Sequence, residues 1–419
     1  MFCSLLRFWW HGWISALYVT PEFHFTYWGF AWVKPLGEVG MQVLFVSVTL
    51  AALFMALGFL YRIASIWFFT GFVYLELIDV ATYLNHYYFV SLVAFLLIWL
   101  PADRHYAIDV RIWPERGKTR VPFICIGILR FQMAVVYIFA GLAKLNSAWL
   151  LEARPMAIWL PAKSHLPMVG QYMYHPYTAY LFSWFGAAYD LLIVFFLLSG
   201  KTRWVAYIFV LVFHTATAIF FPGIGMFPYI MMTGSLIFFS GRFHDQLLSF
   251  LPAYAASRPL SGEAGTTYRY RFAKVMSVFV ALYIVAQVLI PWRFLLYPAH
   301  LFWHEEGYRF SWRVMLMEKS GTAYFRVKPK AGQASFEVNN AEFLTPLQEK
   351  MMSTQPDLIL QYAHFLAEEY KKRGIADPVV TAEVYVSLNG RHSTLFIDPE
   401  TDLASQPFSW KHYPWVLPY

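Results

Sequence analysis

The chain has 419 residues, of which 59% are apolar, 20% aromatic and only 14% charged, with a mean hydropathy of +0.46. A soluble domain carries about a quarter charged residues, so this composition excludes a disordered chain, a coiled coil and a water-soluble globule, and points to a bilayer. Two cysteines in unlike surroundings, Cys3 and Cys125, exclude a disulfide scaffold and a cysteine-bound zinc site. The +7 net charge gathers in a few loops rather than on a stripe interleaved with stacking aromatics, which argues against nucleic acid.

Residues 8–18 are too short to span and carry no small-residue cleavage site, so they read as an interfacial helix or the remnant of a shortened start. Trp9, Trp10 and Trp13 suit a headgroup belt. Apolar runs able, or nearly able, to cross about 30 Å of hydrocarbon recur at 42–61, 63–78, 86–100, 123–143, 178–199, 203–221, 225–240 and 272–291, which makes eight spans. Thirteen basic residues fall in the loops at Arg62, 101–122, 201–203 and 242–274, against three in 79–85, 144–177 and 222–224 together. The positive-inside rule then makes the first set cytoplasmic and sends the second, with everything after 291, to the outer face.

After 291 the composition turns globular. Segments 322–327 and 379–387 read as strands, 394–397 returns after the turn Asn389-Gly390, and 340–373 reads as one or two surface helices. The expected fold is a polytopic α-helical membrane bundle of about eight spans, residues 1–291, with a smaller C-terminal α+β extramembrane domain, residues 292–419.

Ionisable groups in or beside a span are costly and are candidates for function. Lys144 ends an apolar helix and shares a face with Tyr137 and Gly141; desolvation favours its neutral, basic form, and the alternative is snorkelling to the outer headgroups. Asp79, Asn85 and His86 lie on the same outer side, where His86 suits proton relay; helix capping by Asn85 within an aromatic belt is the plainer reading. Asp190 and His214 sit at matching depth in consecutive spans and can bond each other, as packing glue or as chemistry. The 222–228 backbone break is tolerable only where it is buried or lines a cavity. His304, Glu305 and Glu306 follow the last span without the second histidine, four residues on, of a zincin helix, so no metal is expected, and the aromatic loop around them suits simple packing on the bundle.

The order of these residues resembles the vitamin K-dependent γ-glutamyl carboxylase family and its bacterial relatives, which share the horizontally transferred transmembrane (HTTM) domain. The blocks are FHFTYWGFAWV at 23–33, Asn85-His86, Val136-Tyr137 through Gly141 and Lys144-Leu145 to Trp149, Phe213-His214 with 224–227, and Gly307-Tyr308 to Ser311-Trp312. The resemblance implies deprotonation of a reduced menaquinol-type naphthohydroquinone, uptake of O₂, removal of a γ proton from a peptidyl glutamate, capture of CO₂ and release of the quinone epoxide. It matches Lys144 to the initiating base and His86 to the histidine tied to epoxidation, with Asn85, Tyr137, Asp190, His214, Tyr308 and Trp312 about the quinone. The bilayer, the quinone and a glutamate-containing peptide or protein are the implied partners. The implied location is a bacterial cytoplasmic membrane with the C-terminal domain outside. The cysteine pair joining the two parts of the animal enzymes has no counterpart here, and most of their C-terminal extension is expected to be missing. Two alternatives stay open: a hydroquinone epoxidase without carboxylation, and a non-catalytic membrane protein that binds lipid or peptide.

Overall fold

The computed structural model describes residues 1–250, 267–329 and 335–419. Among them, six helices are long and apolar enough to cross a membrane: α2 (Gly37–Leu57), α3 (Tyr61–Ile78), α5 (Phe123–Ala143), α6 (Pro176–Leu198), α7 (Arg203–Phe220) and the run Ala273–Leu296, whose regular part, Ala273–Leu289, is α9. Two shorter apolar helices, α4 (Asn85–Trp99) and Phe227–Phe238, whose α-helical part Phe227–Gly234 is α8, fall where the remaining two spans are expected. The chain is thus a polytopic membrane protein. Its outward faces carry large apolar side chains, among them Trp204, Ile208 and Val212 on α7 and Val275, Val278 and Leu282 on α9, as a lipid-facing surface requires.

The N-terminal segment folds as α1 (Phe2–Trp10) and a short π turn at Ser15–Val19. Leu5, Phe8, Ile14 and Tyr18 enter the bundle core, while Trp9 and Trp10 remain exposed. Both cysteines are free thiols.

Loops sort to two ends as their charge suggests. At one end the Asp109 carboxylate accepts from the Leu60 and Tyr61 N–H groups at the start of α3, which satisfies donors that a helix start leaves open. There too, the Tyr106 hydroxyl donates to Asp245, and Arg120 bridges to Thr267. The basic loop 242–274 is seen only in part, since Arg258 lies outside the described residues. At the other end segments 79–85 and 144–177 meet the C-terminal domain: Gln348 donates to Asp79, Asn85 to the Arg313 carbonyl, and Arg154 to the Asn389 carbonyl.

That domain is an antiparallel sheet in the order β2-β1-β3-β4, with β1 Lys319–Pro329, β2 Phe336–Glu337, β3 Pro378–Leu388 and β4 Thr394–Leu395. The long β1–β3 ladder runs from Lys319↔Leu388 to Pro329↔Pro378. Asn389 and Gly390 both take positive φ, 54° and 69°, as the turn signal suggests. Region 340–373 resolves into two helices, α10 (Pro346–Met352), opened by a Thr345–Gln348 capping box, and α11 (Pro356–Lys372).

The surface placement expected for 340–373 fails for α11. Leu358, Ile359, Leu360, Tyr362 and Ala363 are all 0% exposed. Its second face is covered by a strap from the chain's start: Phe23 packs on Phe365, with ring centroids 4.6 Å apart, Phe25 is 0% exposed, and the Thr26 N–H donates to Gln361. The amphipathic pattern cannot show this second burial, because the covering residues lie more than three hundred positions earlier. The strap and Asp79 hold the outer domain on the bundle: Gln348 Nε2 donates to Asp79 Oδ2 at 2.9 Å and to the Phe23 carbonyl at 2.7 Å.

Candidate active site

Beneath the outer domain, between α5, α6 and α7, lies a cavity of about 330 Å³. Its wall is largely apolar, including Val136, Met156, Phe185, Phe213, Phe221 and Met231, and the polar side chains of Tyr137, Lys144, Asp190, His214 and Thr217 line it as well, Thr217 with its hydroxyl donated to the Phe213 carbonyl. An apolar cleft of this size with a few convergent polar groups is the usual form of a small-molecule site.

Lys144 follows the last residue of α5 and is 6% exposed. Side chains on a helix lean toward its N-terminus, and this one turns back into the bundle: its Nζ donates to the Ala140 carbonyl at 3.3 Å and to Asp190 Oδ2 at 2.7 Å. It also lies 5.2 Å from the centre of the Trp149 ring. Snorkelling to the outer headgroups is therefore not what Lys144 does. Gly141 brings its partner close, since a Cβ there would sit 2.8 Å from the Leu191 N and 2.7 Å from its Cγ. The missing side chain lets α6 press on α5 one residue from Asp190.

The expected Asp190–His214 bond is not formed. Asp190 turns to Lys144, and His214 Nε2 instead shares a hydrogen bond of 3.1 Å with the Tyr137 hydroxyl. Depth along two antiparallel helices does not fix their rotation, and rotation decides which neighbour a side chain meets. His214 is 1% exposed, and its Nδ1 has no hydrogen-bond partner although buried. Buried polar atoms are normally satisfied, so this nitrogen is a free donor or acceptor beside the cavity.

The other sequence candidates lie apart from the cavity wall. His86 is buried against Tyr87 and lies near Phe227, which is also a neighbour of His214, with ring centroids 6.2 Å and 5.8 Å from Phe227 respectively. Within the 222–228 break, Ile224 and Phe227 line the cavity, and Gly225, at φ +67° and ψ −130°, takes a conformation that a side chain would strain. Asp79 is not grouped with His86; its carboxylate is held by Gln348, the Ala81 N–H and His24 at the domain junction. Nor is Asn85 a cap, since it donates to the Arg313 carbonyl and accepts from the Tyr83 hydroxyl, which in turn accepts from the Phe310 N–H.

These bonds pin the loop after Gly307 across the bundle. Trp312 is 1% exposed and stacks on Tyr88 at 4.9 Å, and Tyr308 is buried, which pushes its phenol above the ordinary value. Neither lines the cavity. Two residues further on, Val314 and Met315 do, and they close its outer side. Sequence reading missed this pair, together with Trp149, Met156 and the aromatic wall, because apolar residues in an apolar chain carry no distinguishing signal.

A polytopic bundle with a lysine–carboxylate pair at the head of an apolar cavity, roofed by an α+β domain, defines a membrane protein with a small-molecule type of cavity inside its helices. Residues 1–242 match the HTTM domain family, and residues 272–419 match the vitamin K-dependent gamma-carboxylase lumenal domain. The chain belongs to the HTTM family and is a vitamin K-dependent carboxylase-like membrane protein. No solved structure matches it.

Proposed function

We propose that the protein oxygenates a reduced naphthoquinone to its epoxide at the outer side of the membrane and couples this to CO₂ addition on a peptidyl glutamate, with Lys144 as the base that starts the reaction. The observation that carries this reading is the Lys144–Asp190 pair, 2.7 Å apart, at the head of an apolar cavity. The residues fit the ligand. A fused aromatic ring with two hydroxyls needs apolar walls and a few polar groups, and Phe213, Phe221 and Phe227 stand near Lys144, Tyr137 and His214.

Access suits a molecule dissolved in lipid. Leu181, Phe185 and Val212 line the cavity yet are 65%, 42% and 59% exposed, so the cavity opens sideways between α6 and α7. A second apolar groove of about 390 Å³ between the same helices shares Phe185 and offers room for a hydrocarbon tail.

Bound there, the reduced quinone supplies a hydroxyl proton and, after reaction with O₂, the strong base needed to ionise a glutamyl γ carbon. An amine and a carboxyl in contact form a net-neutral pair whether the proton sits on nitrogen or on oxygen, which lowers the cost of burial. With the proton on Asp190, the Lys144 lone pair accepts the hydroxyl proton, and the resulting ammonium is held by the Ala140 carbonyl and Trp149. Tyr137 and His214 orient the ligand's polar edge, the aromatic wall excludes water, and His86, next to Phe227, acts as a positioning residue. The orientation is the one that puts the thirteen basic residues in the cytosol.

Mixing the purified protein anaerobically with reduced menaquinone and then admitting O₂ is expected to yield quinone epoxide, with ¹⁴CO₂ incorporated when a glutamyl peptide is present. Epoxide without dependence on CO₂ or peptide would reduce the activity to an epoxidase. No epoxide would remove the proposal.

A further inference from the structure

The loop after the last span holds a second cluster of ligating side chains, at a cavity that shares no lining residue with that of Lys144. Leu301–His304 forms one helical turn, ended by Glu305 at φ 60°, and Glu306 follows. The spacing supplies no second histidine, but the fold does, from the C-terminal tail. His412 Nδ1 lies 2.9 Å from Glu306 Oε2 and 3.1 Å from Oε1, and the next residue, Tyr413, donates its N–H to Oε1 at 2.9 Å. The rings of His304 and His412 are 5.2 Å apart between centroids. One ligand atom from each of His304, Glu306 and His412 falls within 4.8 Å of the others.

His304 is 6% exposed, and its Nδ1 is buried without a hydrogen-bond partner. An imidazole in that state, beside a carboxylate and a second imidazole, is short of a ligand. The nearby cations do not compete for Glu306, because Lys319 is taken by Glu305 at 2.9 Å and by the Trp303 carbonyl, and Arg309 by Asp357. In tetrahedral zinc the ligand atoms are about 3.3 Å apart, since each bond is about 2.0–2.2 Å, so side-chain rotation of an ångström or so closes the site. Two imidazoles and a carboxylate are a donor set for a borderline-soft divalent ion of the zinc class. His304 and Glu306 also line a cavity of about 430 Å³, with room for a water in the fourth position.

We propose that His304, Glu306 and His412 bind a zinc-class divalent cation that clips the C-terminal tail to the loop after the last span. Binding couples to folding, so the ion raises stability as it closes the three ligands together. The test uses the full-length protein in detergent, without a histidine tag, stripped with chelator and titrated with Zn²⁺ alone against a fluorescent zinc chelator. One Zn²⁺ per chain with a Kd of micromolar or tighter is expected, with a rise in melting temperature. His412 is about a third exposed, so His412→Ala should fold and lose at least 100-fold in affinity along with the thermal shift. Glu306→Gln keeps an acceptor for the Tyr413 N–H and should weaken zinc likewise. No zinc binding by the wild-type protein, or wild-type affinity in both variants, would overturn the site and leave Glu306 and His412 as a simple hydrogen-bonded pair. Neither readout depends on quinone chemistry.

Discussion

Lys144→Ala is expected to abolish quinol-dependent O₂ uptake and epoxide formation, with a loss of at least the 10²–10⁴-fold typical of removing a general base, while the protein still inserts and purifies. The variant leaves Asp190 without its amine and so breaks a buried pair, a change that costs about 3–5 kcal/mol where it has been measured, and turnover is therefore read per folded molecule. Lys144→Arg should be equally inactive, because a guanidinium stays charged and cannot accept the hydroxyl proton. Epoxide analysis after a fixed O₂ pulse checks both. Product at the wild-type level in either variant would rule out Lys144 as the base.

The second large effect is expected at Asp190. It is 7% exposed and holds Lys144 at 2.7 Å. Asp190→Asn strips a buried pair of one partner, a change that costs about 3–5 kcal/mol where it has been measured, and it leaves the amine without a carboxyl to take its proton. A fall in the melting temperature should accompany a loss of turnover per folded molecule of about 10²-fold or more. Full turnover in the folded fraction would show that Asp190 serves packing alone.

The bundle is legible because lipid imposes a simple rule: each apolar run at 123–143 or 203–221 has only one way to satisfy its backbone, and the helices fall within a residue of those runs. Lys144 is legible for the same reason, as a charge at the end of such a run. Its partner is not. Matching depths joined Asp190 to His214, whereas the absent Cβ of Gly141 sets how α6 sits on α5 and delivers the carboxylate to the lysine.

The roof of the cavity was equally hidden. Phe310, Trp312 and Met315 take φ of 60°, 59° and 53°, unusual for such residues, and tertiary contacts such as those to Tyr83, Asn85, Tyr88 and Asp357 hold the path of this loop. His412 could not be matched to His304 by any local spacing, because one belongs to the tail and the other to the end of the last span. The block at 23–33 carries no local sign of where it packs: Phe23, Phe25 and Tyr27 join the core of the outer domain, while Val33 joins the core of the bundle.

The most direct test of the central claim exchanges the pair for apolar residues. Lys144→Met combined with Asp190→Leu removes both buried polar groups together, which is often neutral or stabilising, so the doubly substituted protein is expected to melt at or above the wild-type temperature. On admission of O₂ to the protein loaded with reduced menaquinone, it should form no epoxide. Epoxide at the wild-type rate from this stable double variant would contradict the account.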